Sequence, residues 1–141
     1  MAKIIVLLKQ VPDLVEDLEV DASGKALDRS DIKFKLNEFD DHALEEAILL
    51  KESGSADEVV AMAVDGDNVD KMLFTALAKG ADRAVKLTGG NPVDSHQMGK
   101  AFSNALGSEG YDLVFTGVQS VDDRDGQLGP IVASYMNKPC V

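Results

Sequence analysis

The chain has 141 residues, the length of one ordinary domain, and 45% of them are hydrophobic, enough for a sizeable core. Fourteen basic residues against 25 acidic ones leave a formal charge of −11, which argues against a nucleic-acid binder or an anionic-membrane binder, both of which need a basic face. The one cysteine, Cys140, rules out an internal disulfide and fits a reducing compartment, so a cytoplasmic location is expected. No apolar stretch reaches the roughly 18 residues of a membrane span, and the run at Ile4–Leu8 is too short for a secretory signal.

In chain order, Lys3–Leu8 is continuously apolar after Lys3, as in a strand buried on both faces of a parallel sheet. Residues 10–35 are expected to be irregular, with Val11-Pro-Asp13 ending the strand and a small hairpin over Leu18–Leu27 turning at Ala22-Ser-Gly24. So long an excursion is often functional. Asn37-Glu-Phe-Asp40 opens a helix that Asn37 or Asp40 can cap, with Phe39, Ala43, Ala47 and Leu50 as its apolar stripe and Leu44 and Ile48 beside it. Glu58–Val64 reads as a second buried strand, residues 69–79 as a helix stopped by Gly80, and Arg83–Leu87 as a third strand. A helix follows over about Asp94–Ser108, with Met98, Ala101, Phe102, Ala105 and Leu106 inward. Asp112–Thr116 is a fourth strand, and a last helix covers about Gln127–Met136 with Pro130 in its first turn.

Alternating strands and helices with short connections predict a single α/β domain. Its sheet is open, parallel and Rossmann-like, with helices on both faces. Lys138-Pro-Cys-Val141 reads as the approach to a further strand, so the chain is expected to be a fragment of a longer subunit. An exposed apolar face is expected on the 10–35 excursion and the final helix.

The chemistry concentrates at Phe115–Pro130, where a strand end runs through a Gly- and Asp-rich loop into a helix. Ligands of open α/β sheets sit outside the carboxyl ends of the strands, and a helix start offers free N–H groups to an anion. Backbone groups from Asp125 to Gly129 are expected at a phosphate, with Gln127 as a side-chain donor and Gly126 and Gly129 allowing close approach. Asp122, Asp123 and Asp125 do not fit a calcium loop, because Val121 and Val132 fall where its first and last ligands belong. They are either solvated, helix-capping loop acids or ligands. Asn37–Asp40 is the second candidate, against its plainer reading as a helix cap. The two histidines, His42 and His96, lack metal-ligand spacing, and His42 is placed on the surface of the first helix. There is no dinucleotide fingerprint, P-loop or nucleophile elbow.

Four segments follow one another in register: Lys9–Asp13, Leu36–Ala47, Ala78–Val85 and Gly117–Pro130. Together they resemble the N-terminal part of the β subunit of electron transfer flavoprotein. The resemblance implies an adenine-nucleotide α-hydrolase-like fold and an electron carrier, rather than an enzyme, that works as a heterodimer with an α subunit. The redox-active FAD would be held mainly by that α subunit, and this subunit would bind AMP or, in electron-bifurcating members, a second FAD. Electrons would arrive from dehydrogenases and leave to a respiratory or ferredoxin-type acceptor. By position, the nucleotide contacts would come from Leu7, from Asn37, Glu38, Phe39 and Asp40, and from Asp65. They would also come from the loop Gly117, Val118, Gln119, Ser120, Val121, Asp122, Asp123, Arg124, Asp125, Gly126, Gln127 and Leu128. No catalytic residue and no metal ligand are implied. AMP-binding members often carry a hydroxyl residue where this chain has Leu128, and Leu128-Gly129-Pro130 is closer to the bifurcating pattern. The alternatives are a stand-alone adenine-nucleotide module of the universal-stress type and a nucleotidyl-transfer enzyme. The first would want a glycine-rich phosphate motif late in the chain. The second would want a Ser- and Gly-rich loop where Lys9–Asp13 stands.

Overall fold

A computed structural model describes residues 2–141. The chain runs through β1 (Lys3–Leu8), β2 (Gln10–Pro12), β3 (Phe34–Leu36), α1 (Glu38–Glu52), β4 (Glu58–Val64), α2 (Val69–Lys79), β5 (Arg83–Leu87), α3 (Ser95–Leu106), β6 (Leu113–Thr116) and α4 (Leu128–Met136). The four long-range strands form a parallel sheet in the order β5-β4-β1-β6. This is the expected open parallel α/β architecture.

The apolar runs explain the layers. Ile4, Val6 and Leu8 alternate onto one face of β1 and pack with Leu44, Ala47 and Ile48 of α1 and Met72, Leu73 and Ala76 of α2. Ile5 and Leu7 point to the other face, with Val60 and Met62 of β4, Phe102 and Leu106 of α3, and Val132 of α4. A strand covered on both sides has no polar face to show, which is why β1 reads as an unbroken apolar run. Each such fully buried side chain is worth roughly 1.5–3 kcal/mol over leaving it in water.

The strand order decides where a ligand can sit. From β1 the chain steps outward through α1 to β4 and through α2 to β5. It then returns through α3 to the opposite side of β1. Right-handed crossovers in opposite directions put α1 and α2 on one face and α3 and α4 on the other. The connections leaving β1 and β6 therefore diverge, and a crevice opens between their carboxyl ends.

Several local expectations need correction. Residues 10–35 are not wholly irregular: β2 and β3 pair antiparallel, with Val11 fully buried opposite Lys35. The small hairpin is reduced to one bridge, Val20 with Leu27, closed by a turn from Asp21 to Ala26. Asn37 occupies the N-cap position of α1 but makes no capping bond, and Asp40 is inside the first turn, not at the cap. The buried face of α1 is centred on Leu44, Ala47 and Ile48; Ala43 and Leu50 flank it and Phe39 stays half-exposed. On α3 the buried face includes Ser95, Gly99 and Ser103 in addition to Phe102 and Leu106, because small residues let α4 approach; Met98, Ala101 and Ala105 are only half-buried. The exposed apolar side chains expected on the excursion are Leu14, Val15, Leu18 and Val20, with Tyr135 on α4. Among the described residues, no helix is long and apolar enough to cross a membrane.

Candidate functional site

The two segments singled out by their composition meet at the β1/β6 crevice. Asp40, in the first turn of α1, is buried, with 6% of its surface exposed. Its Oδ2 accepts from the Lys9 amide just past β1 at 2.9 Å, and its Oδ1 accepts from the Gly117 amide just past β6 at 3.0 Å. Burial pushes this carboxyl up to about 6, although the Lys9 amide, Asn37, the Gly117 amide and the Lys9 charge all pull it down. Asn37 is fully buried, and its Nδ2 donates to the Gln119 carbonyl at 2.8 Å. Its Oδ1 has no partner among the described residues, a costly state for a buried acceptor.

Lys9 crosses the crevice. Its Nζ reaches Ser120 Oγ at 3.2 Å and Asp122 Oδ1 at 3.0 Å, and it also pairs with Asp123. Burial pulls its pKa down, but the bonds to Asp123 and Asp122 more than offset this and leave it raised. Burial likewise raises Asp122, while Ser120 and Lys9 outweigh it and hold that carboxyl low. Asp125 is held low mainly by the Ser95 hydroxyl, 2.6 Å from its Oδ2, while its Oδ1 accepts from the Gln127 amide at the start of α4. The acidic loop is therefore tied down from α1, from α3 and from Lys9 just past β1, whose one positive charge is shared by Asp122 and Asp123. Of its acids, only Asp125 bonds to the helix start. Among the described residues, no group of three or more His, Cys, Asp or Glu is arranged to hold a metal ion.

Arg124 (φ 59°) and Gly126 (φ 64°) take left-handed conformations. Only glycine does so without penalty, so the strain at Arg124 is stored in the loop itself. The amides of Gly126, Leu128 and Gly129 donate to no other described residue and remain available to an anion, whereas Gln127 has already spent its amide on Asp125.

A cleft of about 370 Å³ opens beside this network, in the size range of small-molecule sites. Pro12, Leu27, Arg29 and Phe34 come from the excursion and its flanking strands. Val64, Asp65, Gly66 and Val69 come from the end of β4 and the start of α2, Asn91–Asp94 from the segment before α3, and Asp122 and Asp123 from the acidic loop. Of the residues expected at a nucleotide, Asp65, Asp122 and Asp123 line the cleft. Asn37, Asp40, Gly117, Gln119 and Ser120 build the wall behind it. Gly126 and Gln127 are exposed, as are Glu38, Val118 and Arg124; Phe39 and Val121 are half-buried. Leu128 packs on the α3–α4 core. Leu7 is 1% exposed and lies in the same core, so the cleft lining begins one residue later, at Leu8 and Lys9. His42 is on the exposed face of α1, as expected, and His96 meets Tyr135 edge-on.

Two contributors escaped the sequence reading. Lys9 was visible as the first residue after β1, but the loop acids it pairs with lie 113 and 114 positions away. Ser95 carried no local signal, because its partner lies 30 residues away.

The family model for the electron transfer flavoprotein domain matches residues 25–141. The chain belongs to the electron transfer flavoprotein family. It is similar to the electron transfer flavoprotein subunit beta of Methylophilus methylotrophus, with 42% identity over 140 residues, 97% of this chain and 53% of that one. The corresponding subunit of Thermoanaerobacterium thermosaccharolyticum is 36% identical over 98% of this chain and 53% of its own. The mitochondrial subunit of Arabidopsis thaliana is 31% identical over 97% and 55%. The chain thus spans about half the length of the curated relatives it matches.

Proposed function

We propose that this chain is the nucleotide-holding part of an electron transfer flavoprotein β subunit, an electron carrier and not an enzyme. It would work in the cytoplasm as a heterodimer with an α subunit that holds the redox-active FAD. Dehydrogenases would supply its electrons, and a respiratory or ferredoxin-type acceptor would take them. The observation that carries this reading is the bond network at the carboxyl ends of β1 and β6, where Asp40 and Asn37 hold residues 117–119 and so set the course of the acidic loop beside the cleft.

The residues fit an adenine nucleotide. Pro12, Leu27, Phe34, Val64, Val69 and Val93 give the cleft apolar walls for a base, and Asp65, which lines it, would accept from a ribose hydroxyl. The amides of Gly126, Leu128 and Gly129 would meet the phosphate, at the positively polarised start of α4. The local carboxylates need not repel it, because Asp122 and Asp123 are paired with Lys9, and Asp125 is bound by Ser95 and the Gln127 amide. AMP would act as a structural ligand; FAD, if bound, supplies hydride and single-electron chemistry. No side chain here has to move a proton in either case.

AMP is the first reading. One observation favours a second FAD: Leu128 faces the core and offers no hydroxyl to a compact monophosphate. The test is to co-express the full-length subunit with its α partner, release the nucleotides by denaturation and count them. One FAD and one AMP per heterodimer support a simple shuttle. Two FAD and no AMP support a bifurcating complex. A β subunit without adenine nucleotide would overturn the site.

A further inference from the structure

We propose that Asp40 is a positioning residue for the nucleotide loop: its ionised carboxylate pins the ends of β1 and β6 together, and adenine-nucleotide affinity falls when it is protonated. This rests on the nucleotide reading above and goes beyond it: the resemblance places Asp40 among the nucleotide contacts, whereas the structure turns both of its oxygens onto backbone amides.

The geometry is that of a clasp. Two backbone amides, one from each of the two strand ends that frame the crevice, bond to separate oxygens of one carboxylate at 2.9 and 3.0 Å. An ionised carboxylate has acceptor sites for both. A protonated carboxyl has one carbonyl oxygen and one hydroxyl, so one of the two amides loses its strong acceptor. Gly117 is the first residue of the loop and Gln119 is tied to Asn37 in the turn before Asp40. A change at Asp40 therefore passes directly into residues 117–119.

The carboxylate is retained at a cost. Its burial outweighs the favourable bonds, so it titrates near pH 6 and not in the ordinary carboxylate range. The charged group that faces it is Lys9, whose ammonium is itself held by Asp122 and Asp123. The ionisable side chains of the strands packed on α1, Lys3 of β1 and Glu58 of β4, stand at the opposite, amino end of the sheet, and β6 has none. On α1 itself, Asp41 pairs with Lys79 of α2, and Glu38 is exposed. A buried carboxylate bridging two strand ends beside a cleft is a candidate for a functional role.

The test titrates AMP and ADP-ribose separately, from pH 7.5 to 5, into the full-length protein assembled with its partner subunit, whose own FAD is left in place while the nucleotide of this subunit is removed. The Asp40→Asn variant is run in parallel. AMP's own phosphate titrates near 6, so the readout is the difference between the two profiles. ADP-ribose, whose pyrophosphate does not titrate there, provides an independent curve. Wild type should lose affinity on acidification with a midpoint near 6, by about tenfold for one charge-assisted bond. Asp40→Asn should already bind about tenfold more weakly at pH 7.5 and lack that inflection. Coincident profiles would overturn the proposal while leaving the site intact. Failure of wild type to bind either nucleotide at any pH would overturn the nucleotide reading and this inference with it. If Asp40→Asn does not fold, the wild-type ADP-ribose curve decides: an inflection near 6 supports the clasp and a flat curve overturns it.

Discussion

A β-carbon on Gly117 would stand 2.8 Å from the Asp40 nitrogen and 2.8 Å from the Phe39 carbonyl carbon. Both atoms are backbone, so neither can rotate away. Glycine is required here by space, since the first turn of α1 must come close enough for the Asp40 carboxylate to reach the Gly117 amide. Gly117→Ala is expected to cost about 1–3 kcal/mol of stability by forcing α1 off the end of β6. Urea denaturation will show it as a lower midpoint with an unchanged slope, and the same variant should lose most of its bound nucleotide. An unchanged midpoint would mean that α1 can shift without penalty.

Asp40 should also leave a signature in stability, with a sign opposite to that of most carboxylates. Its folded pKa of about 6 lies above the ordinary 3.8, so the folded state binds its proton more tightly than the unfolded state does. Its contribution therefore improves as pH falls from above 6 towards 4. Comparing wild type with Asp40→Asn by urea unfolding isolates this term. The wild-type advantage should rise by about 2 kcal/mol between pH 7.5 and 4.5. Asp82, Asp122, Asp125 and Glu109 are held below their ordinary values and act in the opposite sense, so they limit total stability as the pH falls through their folded values. A constant difference across this range would show that Asp40 does not titrate there. The fold thus tolerates protonation of Asp40 better than its charge, while the clasp requires the charge.

Lys9 makes the acidic loop compatible with a phosphate. In Lys9→Met, Asp122 and Asp123 lose their common partner and Ser120 Oγ loses a donor. The carboxylate of Asp122 should then rise from its lowered value. Nucleotide affinity should fall by about tenfold at low salt, from a lost charge-assisted network and uncompensated negative charge. Because repulsion is screened within about 10 Å at 0.1 M salt, the variant should recover part of its affinity as salt rises. Calorimetric titration at two salt concentrations checks both effects, and equal salt dependence in variant and wild type would contradict them.

How much of this was legible in the sequence follows from where each residue's partners lie. Ile4–Leu8 and Val59–Ala63 needed only their own composition, because a strand buried on both faces is apolar throughout. The limits of α2 were equally local, set by its apolar spacing and by Gly80, which leaves the helix at φ 130°. β2 and β3 were missed because each is three residues long, and their pairing joins residues more than 20 positions apart. The packing face of α3 was read incompletely for a related reason: Met98, Phe102, Ala105 and Leu106 meet the core as expected, but Gly99 was not foreseen. Gly99 is buried because a β-carbon there would meet Ile131 Cγ2 at 2.5 Å, a fact about α4 and not about α3. At the site, Asp40 looked like a cap since its immediate neighbours are a helix start. Its burial is decided by two amides 31 positions before it and 77 after it. The acidic loop could be recognised as a site, but its ion pairs with Lys9 and its bond to Ser95 required the topology that brings β1, α3 and β6 together.

Arg29 ties the excursion over the cleft. Its guanidinium stacks 4.4 Å from the Phe34 ring centroid and pairs with Asp67 at 2.9 Å, on the segment between β4 and α2. Both partners are more than half exposed, so the pair should add little to global stability. Its effect should be local. The excursion is anchored by β2–β3 and this contact, the Val20–Leu27 bridge lies within it, and Leu14, Val15 and Leu18 remain exposed. Arg29→Ala should therefore leave the urea midpoint within about 0.5 kcal/mol of wild type. Cleavage within residues 14–31 under limited proteolysis should accelerate severalfold, since local opening tracks local contacts. If Arg29 also orders the cleft wall, bound nucleotide should slow that cleavage in wild type more than in the variant. Equal cleavage rates in wild type and variant would show that β2–β3 alone holds the excursion in place.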